Sequence, residues 1–198
     1  MVWEAYQKVR SNQGSAGVDA ISMQEFDADR SKHLYKLWNR MASGSYFPPP
    51  IKEVEIPKKD GSIRKLGVPT ISDRVGQTVV KMFIEPRLEE VFSSNSYGYR
   101  PYKNAHQALQ KVRENCWKQD WIIDLDIKGF FDNIDHQKLM LAVKKHVPEN
   151  WVILYVNRWL EAPVFTTSGQ LVQKQGKGNT TRGRNKPIVG KPISALCF

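Results

Sequence analysis

Cysteine is nearly absent. Cys116 and Cys197 are the only two in 198 residues, too few for a disulfide framework and without metal-ligand spacing. The four histidines, His33, His106, His136 and His146, form no ligand constellation. A disulfide-stapled scaffold and a zinc module are both excluded as readings. No uninterrupted apolar run approaches the ~20 residues that a spanning helix needs, and the opening MVWEAYQKVR has no hydrophobic signal core. These absences lead to the expectation of a soluble, cytoplasmic protein with no membrane partner. No two aspartates stand side by side anywhere in the chain.

What is present suits a packed domain: hydrophobic residues make up 40% and charged residues 25%, ordinary values for a globular protein and well away from those of disordered chains. The formal net charge of +10 raises a nucleic-acid partner, because cations that neutralise phosphates release counterions on binding. Its distribution tempers that reading. From Leu171 onward there are six basic residues (Lys174, Lys177, Arg182, Arg184, Lys186, Lys191) and no acidic one, so residues 1 to 170 carry only +4.

Along the chain, Val2 to Arg10 has helical spacing and gives way to the turn-forming SNQGSAGVDA. From Ser22 to Met41, Phe26, Leu34, Leu37 and Met41 recur at intervals that predict helix. Pro48, Pro49 and Pro50 end it, and VEIPKKDGSIRKLGVP then reads as a β-hairpin with a basic tip around Asp60 and Gly61. Asp73 is a candidate cap for the next helix, in which Pro86 is expected to introduce a kink or a division. A loop at SYGYRP precedes helical spacing in AHQALQKVRENCWKQ. Trp121 to Ile127 is the clearest strand candidate, Asp132 or Asp135 suits a further helix cap, and WVILYVNRWL is helical by its length.

A carboxylate at a strand end, followed by a glycine turn and an aromatic, can present itself to a divalent cation beside a nucleotide. Asp126 stands in that position, ahead of Gly129, Phe130 and Phe131. Magnesium prefers hard oxygen ligands, often one or two carboxylates together with substrate phosphates. The same spacing also describes a solvated aspartate or a helix cap.

The string IIDLDIKGFFDNIDH (residues 122 to 136) closely resembles the first palm motif of group II intron reverse transcriptases. Three further segments are similar to that family in the same order: NQGSAGVDAIS (12 to 22) to its N-terminal loop, IPKKDGSIRKLGVPTISDRVGQ (56 to 77) to its fingers hairpin, and SSNSYGYRPYKNAHQAL (93 to 109) to the segment before the palm. The resemblance implies an α+β fold, with helices packed around a fingers hairpin and a partial antiparallel palm sheet. It implies Mg2+ as cofactor, with Asp126 as catalytic and metal-binding carboxylate and the Ile127 carbonyl as a second oxygen ligand; Asp124 and Asp132 are lesser candidates. Phe131 would lie under the sugar of the incoming deoxynucleoside triphosphate and disfavour a 2′-hydroxyl, with core packing as its plainer reading. Lys58 and Arg64 match positions that hold the triphosphate. Lys59 and Lys65 are expected at the surface or on the nucleic acid, and Arg100 either on nucleic acid or in a structural pair. The implied partners are an intron RNA template, a DNA primer and deoxynucleoside triphosphates; oligomeric state is not legible.

The family's second pair of carboxylates comes from a later Tyr-x-Asp-Asp turn, which these 198 residues do not contain, nor is there a helical thumb. The expected organisation is reverse transcriptase fingers and partial palm over residues 1 to 178, then a disordered basic tail over 179 to 198. With suitable wobble bases, codons for Asn179 to Phe198 read from their second base give Thr-Pro-Gln-Gly-Gly-Val-Ile-Ser-Pro and then Leu-Leu-Ala-Asn-Leu-Phe, the family's next motif, so a frameshift near Asn179 is inferred. The expected function is a piece of an RNA-directed DNA polymerase, inactive alone. A non-catalytic, maturase-like module that binds intron RNA is the alternative, and a product without function is the third reading.

Overall fold

The computed structural model of the chain describes residues 1–127, 129–173, 176 and 177. The inferred frameshift and the basic tail from residue 179 lie outside the described residues.

The organising element is the helix α4 (Ile71–Val91), whose residues from Ile71 to Val80 are buried almost without interruption. A helix buried on all sides needs neighbours on all sides. These are α1 (Val2–Asn12), α3 (Arg30–Ala42) and α8 (Asn150–Glu161), which bury Tyr6, Leu37, Tyr155, Val156 and Trp159 in one core with Val75, Val79 and Val80. At Gly76 the approach is close: an added Cβ would stand 3.3 Å from Met41 Sδ and 3.5 Å from Trp159 Cζ2. Pro86 neither divides nor ends α4, which continues one turn beyond it. The cap of α4 is Thr70, whose hydroxyl accepts from the Asp73 amide at 3.2 Å. Asp73, expected as the cap, is instead a fully buried third residue.

The predicted helix from Ser22 to Met41 is broken at Asp29 into α2 (Met23–Ala28) and α3. Ser22 opens α2 with a reciprocal cap, accepting from the Glu25 amide and donating its own amide to the Glu25 carboxylate. Tyr6 and Arg10 of α1 both donate to Asp27, tying the first two helices together.

β1 (Ile51–Pro57) and β2 (Ile63–Val68) form the expected antiparallel hairpin, with Val54 opposite Leu66 and Ile56 opposite Arg64. β1 also pairs in parallel with β3 (Val164–Phe165), which turns back antiparallel onto β4 (Leu171–Val172). The sheet is therefore mixed, in the order β2-β1-β3-β4, and it is built on the hairpin. The expected antiparallel palm sheet is not formed by the described residues.

That difference has its sharpest expression at Trp121 to Ile127. No strand forms there, and all seven residues are exposed, Trp121 at 89% and Leu125 at 85%. A single extended segment gains its hydrogen bonds from neighbours. Among the described residues none pairs with it. The preceding helix α5 (Ala105–Cys116) starts from an Asn104–Gln107 capping box but buries none of its residues. After Gly129, a left-handed cap at φ +62°, come the short α6 (Phe130–Asn133) and α7 (His136–His146), the latter capped by Asp135. The helical reading of WVILYVNRWL agrees with α8.

Candidate functional site

The distal half of the hairpin leaves the body. Burial falls along β1 from Ile51 to an exposed Glu55, Ile56 and Pro57, and on β2 Ile63, Arg64 and Lys65 are exposed before Leu66 re-enters the core. The tip closes through Gly61 N to Lys58 O at 3.1 Å and Lys58 N to Ser62 O at 2.8 Å. Gly61 takes φ +80°, a region that strains other residues. Asp60 braces this turn by accepting from the Ser62 hydroxyl at 2.6 Å and the Ser62 amide at 3.0 Å, bonds that hold its carboxyl below the ordinary value. The single acid at the tip is thus committed to the turn.

The cations around it divide into two kinds. Lys65 Nζ lies 3.1 Å from Glu53 and 3.8 Å from Glu55, and its hydrogen bond to Glu53 raises its pKa. Its charge is locally compensated. Lys58, Lys59 and Arg64 are exposed and form no ion pair among the described residues, although the Lys58 charge also helps to lower the Asp60 carboxyl. Because side chains alternate along a strand, Arg64 projects to the face opposite Lys65. The hairpin therefore offers an ammonium and a forked guanidinium, free for anionic oxygens.

Arg100 is placed otherwise. Its Nε and Nη2 donate to Glu89 at 3.0 and 2.9 Å, and Nη1 donates to the carbonyls of Ser93 and Ser96 at 2.6 and 2.9 Å. Its side chain is 8% exposed and stacks over Phe92. The geometry favours the structural-pair reading, an arginine that clamps the loop after α4 rather than one held ready for a phosphate.

Asp126 and Ile127 lie on the exposed, unpaired segment before the Gly129 turn, as does Asp124. Beyond the turn the two aromatics separate: Phe130 packs against the core, while Phe131 is half-buried with its ring edge-on to Phe130 at 5.4 Å. Among the described residues no group of three or more carboxylate, imidazole or thiol side chains is gathered to hold a metal ion. Two oxygen donors on an exposed segment do not by themselves make up the ligand set of a magnesium ion.

Sequence reasoning missed the polar centre of the core. Asp73 Oδ1 accepts from Tyr46 Oη at 2.9 Å and Trp159 Nε1 at 2.6 Å, and Oδ2 accepts from Gln77 Nε2 at 2.9 Å. Burial nevertheless pushes the Asp73 pKa up to about 6. Beside it, Arg74 donates to the carbonyls of Gln13 at 3.3 Å and Ser15 at 2.8 Å, pinning the N-terminal loop to α4. Gly17 makes that docking possible, since a Cβ there would lie 2.7 Å from backbone atoms of Thr70. A signal was available: Thr70 and Asp73 have the spacing of a capping hydroxyl and its third residue.

The reverse transcriptase (RNA-dependent DNA polymerase) family model matches residues 56–186. The group II intron-encoded protein LtrA of Lactococcus lactis subsp. cremoris is 31% identical over 159 residues, covering 80% of this chain and 26% of LtrA. Protein YkfC of Escherichia coli (strain K12) is 34% identical over 138 residues, 67% of this chain and 36% of YkfC. A chain in the structure titled "Partial Cas6-RT-Cas1--Cas2 complex" superposes with a TM-score of 0.61 at 18% identity, covering 98% of this chain and 32% of that one, a likeness of fold. The chain spans roughly a quarter to a third of the length of these relatives. No described helix is long and apolar enough to cross a membrane. By these matches, the chain belongs to the reverse transcriptase family and, within it, to the group II intron-encoded type.

Proposed function

We propose that this chain supplies the nucleotide- and template-holding fingers, and the first carboxylate of the palm, of an RNA-directed DNA polymerase acting on intron RNA. The observation that carries the reading is the hairpin tip, where Lys58, Lys59 and Arg64 are exposed and form no ion pair among the described residues, while Asp60 braces the turn and Lys65 is paired with Glu53. In this reading Lys58 and Arg64 take the triphosphate of a deoxynucleoside triphosphate, because fixed cations neutralise charge on oxygens as a phosphoryl group is displaced. Lys59 takes the template, Phe131 the sugar, and Asp126 with the Ile127 carbonyl contributes ligands to Mg2+. Lys65, paired with Glu53 at the surface, and Arg100, buried against Glu89, hold their segments in place. These 198 residues contain no Tyr-x-Asp-Asp turn, and in this reading the further carboxylates of a two-metal centre come from outside them. A cytoplasmic location, with fingers and partial palm extending over residues 1 to 178, belongs to the same proposal.

RNA binding without catalysis, as in a maturase, is a second reading that rests on the same free cations. Both predict that the chain binds single-stranded RNA through the hairpin. Replacing Lys58, Lys59 and Arg64 together by alanine is expected to lower the slope of log affinity against log salt by about 2, three phosphates at roughly 0.7 each. Fluorescence anisotropy with labelled RNA measures it, and an unchanged slope would refute hairpin binding. Primer extension separates the two readings, since only the first restores synthesis when the missing palm is supplied.

A further inference from the structure

A second cationic surface lies away from the hairpin tip. On α3, His33, Lys36, Leu37 and Arg40 recur at the spacing that places them on one face. Leu37 turns into the core, and the other three line an open cleft of about 290 Å³. The opposite wall carries Phe47 and Pro49 from the connection into β1, together with Thr70 and Ser72 at the start of α4. Lys36 and Arg40 are exposed, and neither side chain has an ion pair or hydrogen bond among the described residues. One carboxylate, Asp19, reaches the rim. The cations are in excess.

Phe47 lines the cleft and is 70% exposed. It is also held from behind. The Arg158 guanidinium sits over the Phe47 ring, 3.9 Å from its centroid, while donating to the carbonyls of Gly44 at 2.7 Å and Tyr46 at 2.6 Å. One face of the ring is therefore backed by a fixed cation and its connecting loop is fastened to α8. Directly beneath, Tyr46 is tied to Asp73. The result is a rigid aromatic platform beside two unpaired cations strung along a helix face, and not converging on one point.

We propose that this cleft binds single-stranded nucleic acid, stacking one base on Phe47 while Lys36 and Arg40 take flanking phosphates. A base has a π-face whatever its identity, and an aromatic platform bordered by cations is the general means of holding an unpaired strand without reading its sequence. The cleft volume is near the lower limit for ligand sites, room for one nucleoside and not for a duplex. This inference rests on the nucleic-acid reading of the chain but assigns residues that the hairpin does not use.

The test is anisotropy with a fluorescein-labelled oligouridylate, titrated with salt, on the full chain, on two cleft variants and on the hairpin variant with Lys58, Lys59 and Arg64 replaced by alanine. Lys36→Ala combined with Arg40→Ala is expected to lower the salt slope by about 1.4, two phosphates at roughly 0.7 each. Phe47→Leu keeps an apolar side chain but removes the stacking face; it is expected to weaken binding by about fivefold or more with the slope unchanged. Each variant's far-UV circular dichroism is compared with the parent, and these exposed positions are expected to leave it unaltered. If the hairpin variant loses affinity while both cleft variants bind like the parent, the cleft proposal is overturned and the hairpin reading stands. If the parent chain does not bind the oligouridylate, both fall.

Discussion

Asp73 accepts three hydrogen bonds from neutral donors, and burial still outweighs them in setting its pKa at about 6. The folded chain thus holds this proton over a range in which the unfolded chain, with an ordinary value of 3.8, has released it. Because the native state binds more protons there, stability rises as pH falls from about 7 to about 4, by roughly 3 kcal/mol for this group. Asp60 and Asp135, with lowered pKa values, act in the opposite sense, losing their contribution at the acidic end of that range. Urea midpoints across this interval are expected to show the rise in the parent and its loss in Asp73→Asn; parallel pH profiles would refute the assignment. Gly17 supports a second prediction at this scale. An alanine Cβ would press on the backbone of Thr70, which caps α4, so Gly17→Ala is expected to cost about 1–3 kcal/mol in the same measurement.

Elements were legible where their reasons are local. The hairpin follows from Asp60-Gly61 between extended runs, α7 from its Asp135 cap, and α8 from the length of its apolar stretch. Others depend on distant partners. Asp73 reads as a cap until Trp159, 86 positions away, is known to meet it, and nothing local marks Lys65 as spent on Glu53 or Arg100 on Glu89. Pro86 tolerates an unbroken α4 because packing outweighs the loss of one backbone hydrogen bond. Trp121 to Ile127 is the opposite case: its strand propensity is strong, yet without neighbouring strands it stays unpaired. Hydrogen exchange should find these seven amides unprotected while those in the buried half of α4 exchange slowly. Protection equal to that of α4 would mean that the segment is paired after all.

At the scale of the molecule, the family and the order of its motifs were legible, whereas no metal centre is gathered among the described residues, and these 198 residues contain no Tyr-x-Asp-Asp turn. Between residues 109 and 127, Leu109, Val112, Trp117, Trp121, Ile122, Ile123, Leu125 and Ile127 are all exposed, and so much apolar surface favours association. Concentration-dependent light scattering and strong binding of a hydrophobic dye are expected, and a monodisperse monomer that binds none would show that this surface is covered. The relatives are three to four times longer than the part matched here, which gives the decisive measurement its form. Residues 1–173 would replace the matching segment of the LtrA protein, and primer extension on an RNA template would be assayed with Mg2+. Synthesis by the chimera is expected, with a loss of about 100-fold in its Asp126→Asn variant. A folded, RNA-binding chimera that fails to extend the primer, or one indifferent to Asp126→Asn, would contradict the proposed function.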